Sequence, residues 1–382
     1  MVPALVITGH LSLVRSLGRR GVPVISVQYG HAETGHLSRY ASGRLEVPSP
    51  LDDEGGFVEA LLAAGERYPG AVLIPMFDGP LMACSRNKVA LSEYYLVAAS
   101  DWETTRIYLE KSRTFELATS LGIPLPLTSS VDSFESAKET AGRLRPPYLV
   151  KPVLTHEFQS RFGSKMIPAD TSHELEIALR RCLDEGMRVM VQEFIPGGPA
   201  NGAVYSGYFD EGACLAETTH GKVRDGPPTY GSPRVAISKH IPEIIEPSRR
   251  LMAATAFTGF ACVEFKRDHR DGVFKLMEVN ARHNLAGALH VKSGVDYPWI
   301  QYEHLVYGRR PDPVTARDGI YWIDVFRDIG YSMRGWRNEG LTFGEFIKPY
   351  VHSAAFRRFD WRDPLPFLAF PLRRIWNRAT GF

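Results

Sequence analysis

Thr258–Arg282 reads TGFACVEFKRDHRDGVFKLMEVNAR, and this stretch decides the fold. Two apolar runs, Phe260-Ala-Cys-Val-Glu-Phe265 and Val273-Phe-Lys-Leu-Met-Glu-Val279, flank a charged segment containing Asp271-Gly272. The runs suit strands and Asp-Gly tolerates positive φ, so the stretch reads as a β-hairpin. Each run carries one acid, Glu264 or Glu278, among apolar neighbours. An acid buried without a partner is costly, so a counter-ion is required. After Glu278 the alternation Glu278-x-Asn280-x-Arg282 puts three polar groups on one strand face. Two carboxylates and an amide oxygen suit Mg²⁺, a hard oxygen-seeking cation, and Arg282 suits an anion beside it. A surface hairpin with ordinary ion pairs is the plainer alternative. Geometry separates the two. A two-residue turn centred on Asp271-Gly272 would set Glu264 opposite Val279 and leave Glu278 on the other face. A shared metal therefore requires an odd-membered loop or a bulge between Lys266 and Lys275.

Glu264 followed by Glu278-Val-Asn280-Ala-Arg282 resembles the metal-binding end of the ATP-grasp ligases. Upstream stretches extend the resemblance in the family's order. Lys111 stands between a helix that ends near Glu110 and a second helix, Ser112–Leu121, stopped by Gly122. Lys151 lies inside the apolar strand Tyr148-Leu-Val-Lys-Pro-Val153, where an ammonium needs an anion such as a phosphate. The two resemble the paired nucleotide lysines of that family. Thr155–Lys165 occupies the position of its glycine-rich phosphate loop but contains only Gly163, so Arg161 and Lys165 would supply side chains in place of backbone. The strand Arg188–Ile195, ended by Pro196-Gly-Gly, looks like the hinge that reads adenine through Gln192 and the backbone of Glu193, Phe194 and Ile195. Gln192 stands where the family usually has an acid, and an amide oxygen accepts the same hydrogen bond.

Between hinge and hairpin, Ala203–Phe209 and Ala213–Thr219 form strands across Asp210-Glu-Gly212. A polar, Gly/Pro-rich stretch, His220–Arg234, then interrupts the sheet. Lys222, Arg224 and Arg234 give it three positive charges, read as the face that meets phosphates and acyl acceptor. A solvated basic loop is the alternative.

Outside this block the chain alternates strand and helix over residues 1–100, a βαβ pattern of Rossmann-like type. Its first turn, Thr8-Gly9-His10-Leu11-Ser12, lacks the GxGxxG dinucleotide fingerprint. Asp78 follows the third strand and suits either a substrate or a helix N-cap. Ser100-Asp-Trp-Glu103, Asp132-Ser-Phe-Glu135 and Thr171-Ser-His-Glu174 read as capping boxes. From Ala355 to the C-terminus, arginines interleave with Phe and Trp, and prolines at 364, 366 and 371 argue against one long helix. Such a tail is expected to pack its aromatics on the host domain; docking on a membrane surface is the less favoured reading.

The expected fold is thus α/β and α+β. An N-terminal Rossmann-like parallel-sheet domain (1–100) precedes an ATP-grasp domain (101–310) and a C-terminal extension (311–382). The ATP-grasp domain divides into a smaller nucleotide-clasping part (101–195) and a metal-bearing part (196–310). The resemblance implies an ATP-dependent carboxylate–amine ligase. ATP would lie against Lys111, Lys151 and Lys165. Mg²⁺, or alternatively Mn²⁺, would sit on Glu264, Glu278 and Asn280. Arg282, with Arg224 and Arg234, would act on the transferring groups. Other chemistries of the family, or a non-catalytic nucleotide-binding subunit, remain alternatives. Substrates would be a small carboxylate and an amine, amino acids among them.

Composition agrees. The 382 residues are 44% apolar, enough for several cores, and the net charge of +2 gives no general attraction to nucleic acid. Four scattered cysteines with no CxxC imply reduced thiols and a cytoplasmic protein, as does an N-terminus without a signal-peptide pattern. A homo-oligomer is compatible with all of this. GxxxxGK[ST], HExxH and GxSxG are absent, which removes P-loop, zinc-protease and serine-hydrolase readings.

Overall fold

A computed structural model of the chain describes residues 1–30, 34–131, 144–153, 158, 161–164, 166–226 and 231–380. The capping box at Asp132, most of the 155–165 loop, and Lys165 itself lie outside these residues.

The first sheet is parallel throughout. Its strands are β1 (Ala4–Ile7), β2 (Val24–Gln28), β3 (Gly43–Glu46), β4 (Ala71–Ile74) and β5 (Tyr95–Val97), in the order β3-β2-β1-β4-β5. Every residue of β1, β2 and β4 is buried, as a parallel sheet covered on both faces demands. Strand β3 has no apolar run, because at the sheet edge its residues alternate between half-buried and exposed. The turn after β1 needs glycine. Gly9 has φ +58°, and a Cβ there would stand 2.0 Å from Ser26 Oγ. Between β4 and β5 lie two helices, Asp78–Arg86 and Lys88–Leu91, parted at Asn87.

The capping box at Ser100 does not form. Asp101 precedes the helix Trp102–Leu109 without a side-chain cap, and Ser100 Oγ donates instead to the Thr258 carbonyl at 2.8 Å. That bond fastens the residue before this helix to the entry of the Gly259–Asn280 hairpin. At Thr171 the cap is real: its hydroxyl accepts from Glu174 N at 3.1 Å and opens the helix Ser172–Asp184.

The remaining strands build two antiparallel sheets with one parallel edge pair. Strands β6 (Thr128–Val131), β7 (Tyr148–Pro152), β8 (Ile167–Ala169) and β9 (Val189–Glu193) form a four-stranded sheet ordered β6-β9-β7-β8. The larger sheet comprises β10 (Gly202–Asp210), β11 (Ala213–Gly226), β12 (Ser232–Ser238), β13 (Gly259–Arg267), β14 (Phe274–Asn280), β15 (Tyr321–Ile323) and β16 (Ala354–Phe356). Their order is β14-β13-β10-β11-β12-β15-β16. Two expectations change here. The polar stretch from His220 does not interrupt the sheet, because β11 continues to Gly226. The segment after Arg310 is not an appendage, because β15 pairs with β12 and β16 with β15.

The tail also departs from its expected form. A helix spans Leu365–Thr380 with Pro371 inside it. Pro366 falls in the first turn, where a missing N–H costs nothing, and packing offsets the single bond lost at Pro371. Phe326 stacks on Phe367 and Phe370, with ring centroids 4.7 and 5.2 Å away. Arg357 pairs with Asp324 at 2.8 Å, and Asp363 accepts from Arg15 Nε at 2.9 Å. The tail therefore lies on the host, as its aromatics imply. Among the described residues no helix is long and apolar enough to cross a membrane.

Candidate functional site

The hairpin carries the bulge that a shared metal requires, one pair beyond its expected place. From the turn outward Arg267 pairs with Phe274, Lys266 with Lys275 and Phe265 with Leu276; the next pair is Glu264 with Glu278. Met277 is the extra residue. Without it Glu264 would oppose Met277 and Glu278 would point to the other face. With it the two carboxylates sit directly across from each other, and Asn280 follows on the same face, opposite Cys262.

Each acid has found a lysine. Lys111 Nζ lies 3.2 Å from Glu278 Oε1, and Lys222 Nζ donates to Glu264 Oε2 at 2.8 Å. Lys222 reaches across β10 because Gly202 offers no side chain there; a Cβ would meet its stem at 2.7 Å. Burial lowers the Lys222 pKa, but Glu264 and Asp225 outweigh it and hold the ammonium above the usual lysine range.

Arg282 donates from Nε to Asp78 Oδ1 at 2.6 Å and from Nη2 to Asn280 Oδ1 at 3.0 Å. Asp78 sits in the first turn of Asp78–Arg86, so a helix packed on the parallel sheet aims an arginine two residues past the end of β14. Burial opposes both charges, yet the pair holds Asp78 below and Arg282 above its ordinary value.

Across the cleft, Lys151 is buried on β7 and donates to Gln192 Oε1 at 2.5 Å. Gln192 Nε2 donates in turn to Thr128 Oγ1 at 3.0 Å. The Gln192 amide is fully buried and engaged by protein partners, so it orients Lys151 and is not presented as an adenine-reading edge. The Glu193 carboxylate turns away from the cleft as well. It accepts from Leu127 N and from Arg270 Nη2, each at 3.0 Å, tying β9 to the hairpin turn. Phe194 and Ile195 do line the cleft, and the Lys266 ammonium stands 4.7 Å from the Phe194 ring centre.

Burial first, and Lys111 second, bring the Lys151 pKa down to about 8. A neutral lysine attracts phosphate poorly, so a phosphate that binds beside it above that pH must bring a proton onto the amine. We expect the KM for ATP to rise as pH passes 8, by up to about tenfold per unit. Lys151→Met should flatten that slope. A profile level from pH 7 to 9 in the parent would remove Lys151 from the nucleotide site.

The cavity between the two antiparallel sheets has a volume of about 300 Å³. It brings together Lys111, Lys151, Glu264, Glu278, Asn280 and Arg282, with Phe77 and Asp78 closing one end. Among the described residues no group of three His, Cys, Asp or Glu could hold a metal. The available donors are two facing carboxylates and one amide oxygen. That sparse oxygen set fits Mg²⁺, which keeps waters and phosphate oxygens as its other ligands.

Arg224 and Arg234 are not in the cleft. Val223 is an extra residue on β11 and Arg234 an extra residue on β12, since Lys222 pairs with Ala236, Arg224 with Val235 and Asp225 with Pro233. The bulges send both arginines through the sheet to Asp328, at 2.7 and 2.9 Å, while Lys222 and Asp225 keep the cleft face. Their guanidinium groups anchor the helix Val325–Glu339 and do not meet a substrate. Arg161 is likewise occupied, by Glu185. Sequence reasoning missed Trp322, which lines the cleft from β15. Tyr-Trp-Ile is a plain apolar strand, and only its pairing with β12 carries it there.

No protein-family model matches the chain. It is 27% identical over 286 residues to D-aspartate ligase of Enterococcus faecium (strain Aus0004), covering 69% of this chain and 67% of that protein. Among solved structures it is similar to L-amino acid ligase from Bacillus licheniformis, with TM-score 0.62 and 17% identity over 80% of this chain and 74% of that one. It is also similar to the biotin carboxylase domain of the Hydrogenobacter thermophilus 2-oxoglutarate carboxylase, solved with MgADP, ADP and bicarbonate. There the TM-score is 0.65 at 15% identity, over 84% of this chain and 73% of that one.

Proposed function

Because the chain has the ATP-grasp fold, we propose that it is an ATP-dependent ligase joining a small carboxylate to an amine, with ADP and phosphate as products. The observation that carries this reading is the cross-strand pair Glu264–Glu278, with Asn280 and Arg282 beside it, in one cleft with Lys111 and Lys151. The likeness to a D-aspartate ligase and an L-amino acid ligase supports amino acids as the substrate class. Four free cysteines support a reducing, cytoplasmic setting.

In this mechanism adenine lies against the hinge, read by the backbone of Glu193 and Ile195 and covered by Phe194. Lys111 and Lys151 bind phosphate oxygens, Lys151 being held in place by Gln192. Glu264, Glu278 and Asn280 would hold Mg²⁺, or Mn²⁺ in its stead, which when bound supplies positive charge to the phosphates. Arg282, aligned by Asp78, presents a forked donor to the transferring group.

A carboxylate resists an amine because its charge repels the nucleophile and oxide is a poor leaving group. Attack of a carboxylate oxygen on the γ-phosphorus, with cleavage of the bond to ADP, removes both obstacles. The amine then attacks the acyl carbon, the C–O bond to phosphate breaks, and the ammonium proton is lost. Exclusion of water from the cleft protects the acyl phosphate.

An array of carboxylates against amines, read by ADP release, tests the activity. With an ¹⁸O-labelled carboxylate, one label should pass into inorganic phosphate. AMP with pyrophosphate, and label in the AMP, would refute the route even if an amide formed.

A further inference from the structure

Two strands across the sheet from Glu264, the cleft has a second polar region. Strand β11 presents His220 and Lys222 there and, past the bulge at Val223, Asp225. Trp322 on β15 lies in the same row as Lys222, with Ala236 of β12 between them. Successive strands are about 4.8 Å apart, so this wall is roughly 10 Å wide, the scale of one small molecule.

Three side chains of this wall are left unsatisfied. His220 Nδ1, Asp225 Oδ1 and Trp322 Nε1 are buried without a hydrogen-bond partner. Their residues are 2%, 8% and 0% exposed. An unpaired buried polar atom costs about 1–3 kcal/mol, and three in one wall of one cavity require an explanation. The mechanism above uses none of them. Their chemistry is complementary to a zwitterion: a carboxylate that wants a cation, an indole N–H that wants an acceptor, and an imidazole nitrogen that serves either role by tautomer. Burial first, with Glu264, raises the Asp225 pKa against the opposing pull of Lys222, Lys266 and Arg234.

We propose that this region binds the amine-bearing substrate as a free amino acid, its ammonium on Asp225 and its carboxylate on the Trp322 indole N–H. His220 Nδ1 completes the hydrogen bonding. The proposal rests on the ligase reading, and places the amine two strands from the metal acids, on the side of the cleft away from β14.

The full chain, saturated with Mg²⁺ and a non-hydrolysable ATP analogue, is titrated with the common L- and D-amino acids and with their deaminated counterparts. Binding is followed by thermal shift. At least one amino acid should raise the melting temperature and its deaminated counterpart should not. Asp225→Asn should weaken that amino acid by about 10- to 100-fold, leaving the shift from the ATP analogue intact. Trp322→Phe, which removes the indole N–H together with part of the ring system but keeps an aromatic side chain, should weaken it by about tenfold, and decides the matter if Asp225→Asn does not fold. No response to any amino acid, an equal response to the deaminated acid, or parental affinity in the folded variants overturns the proposal. ADP release separates it from the ligase reading. Turnover with parental affinity in Asp225→Asn sinks the subsite and keeps the ligase. Asp225-dependent binding with no ADP release from any carboxylate sinks the ligase and keeps the subsite.

Discussion

Glu278→Gln should lower kcat by about 10²- to 10³-fold, with little change in melting temperature. The substitution keeps the side-chain volume and removes one of the two carboxylates proposed to hold Mg²⁺. Little stability is at stake, because the Glu278 side chain is 37% exposed and its pair with Lys111 is worth at most about 1 kcal/mol. The loss should persist at saturating ATP and in single-turnover ADP formation, which excludes a slow product release as its cause. Glu264→Gln should behave alike, since the bulge at Met277 makes the two acids equivalent partners across one strand pair. A parental rate in either variant would mean that the facing carboxylates are ordinary ion pairs.

The second large effect falls on stability, far from the chemistry. Asp328 is fully buried and accepts from Arg224 at 2.8 and 2.7 Å, from Arg234 at 2.9 Å and from the Tyr350 hydroxyl at 2.9 Å. Asp328→Ala leaves two buried guanidinium groups without their anion, a loss of about 3–5 kcal/mol. Urea unfolding should show an unfolding free energy lower by that amount, read as an earlier midpoint at unchanged slope. A change below 1 kcal/mol would show that water reaches the pair and that the anchor is dispensable.

The hairpin was legible because two apolar runs, an Asp-Gly pair and a polar alternation agreed with one another. Order along the chain then located the lysines and the hinge strand. What escaped was decided by single extra residues. Bulges at Met277, Val223 and Arg234 have no local signature, yet each reverses which face the next side chain takes. Arg224 and Arg234 look like site residues when the stretch is read as a loop, and become structural once it is a bulged strand. Ser100 shows the same limit in a helix cap: its hydroxyl had a competing acceptor, Thr258 O, far along the chain. Gln192 was found at its place but given the wrong partner, since Lys151 reaches it from a neighbouring strand.

The clasp between Arg15 and Asp363 bears on how the chain is made. The two residues are 348 positions apart, and both are buried in the finished protein. At about 5–20 residues per second, a ribosome needs roughly 20–70 s to deliver the aspartate after the arginine has emerged. Throughout that interval the first parallel sheet can close, but the helix Leu11–Gly18 keeps a solvated guanidinium on the face that the tail will later cover. Ser38 and the Arg39 amide wait for the same carboxylate, which finally accepts from them at 2.7 and 3.0 Å. A sheet that can form long before the tail is made is thus sealed only when the tail arrives, and nascent chains halted before Asp363 will present this open seam to chaperones and proteases.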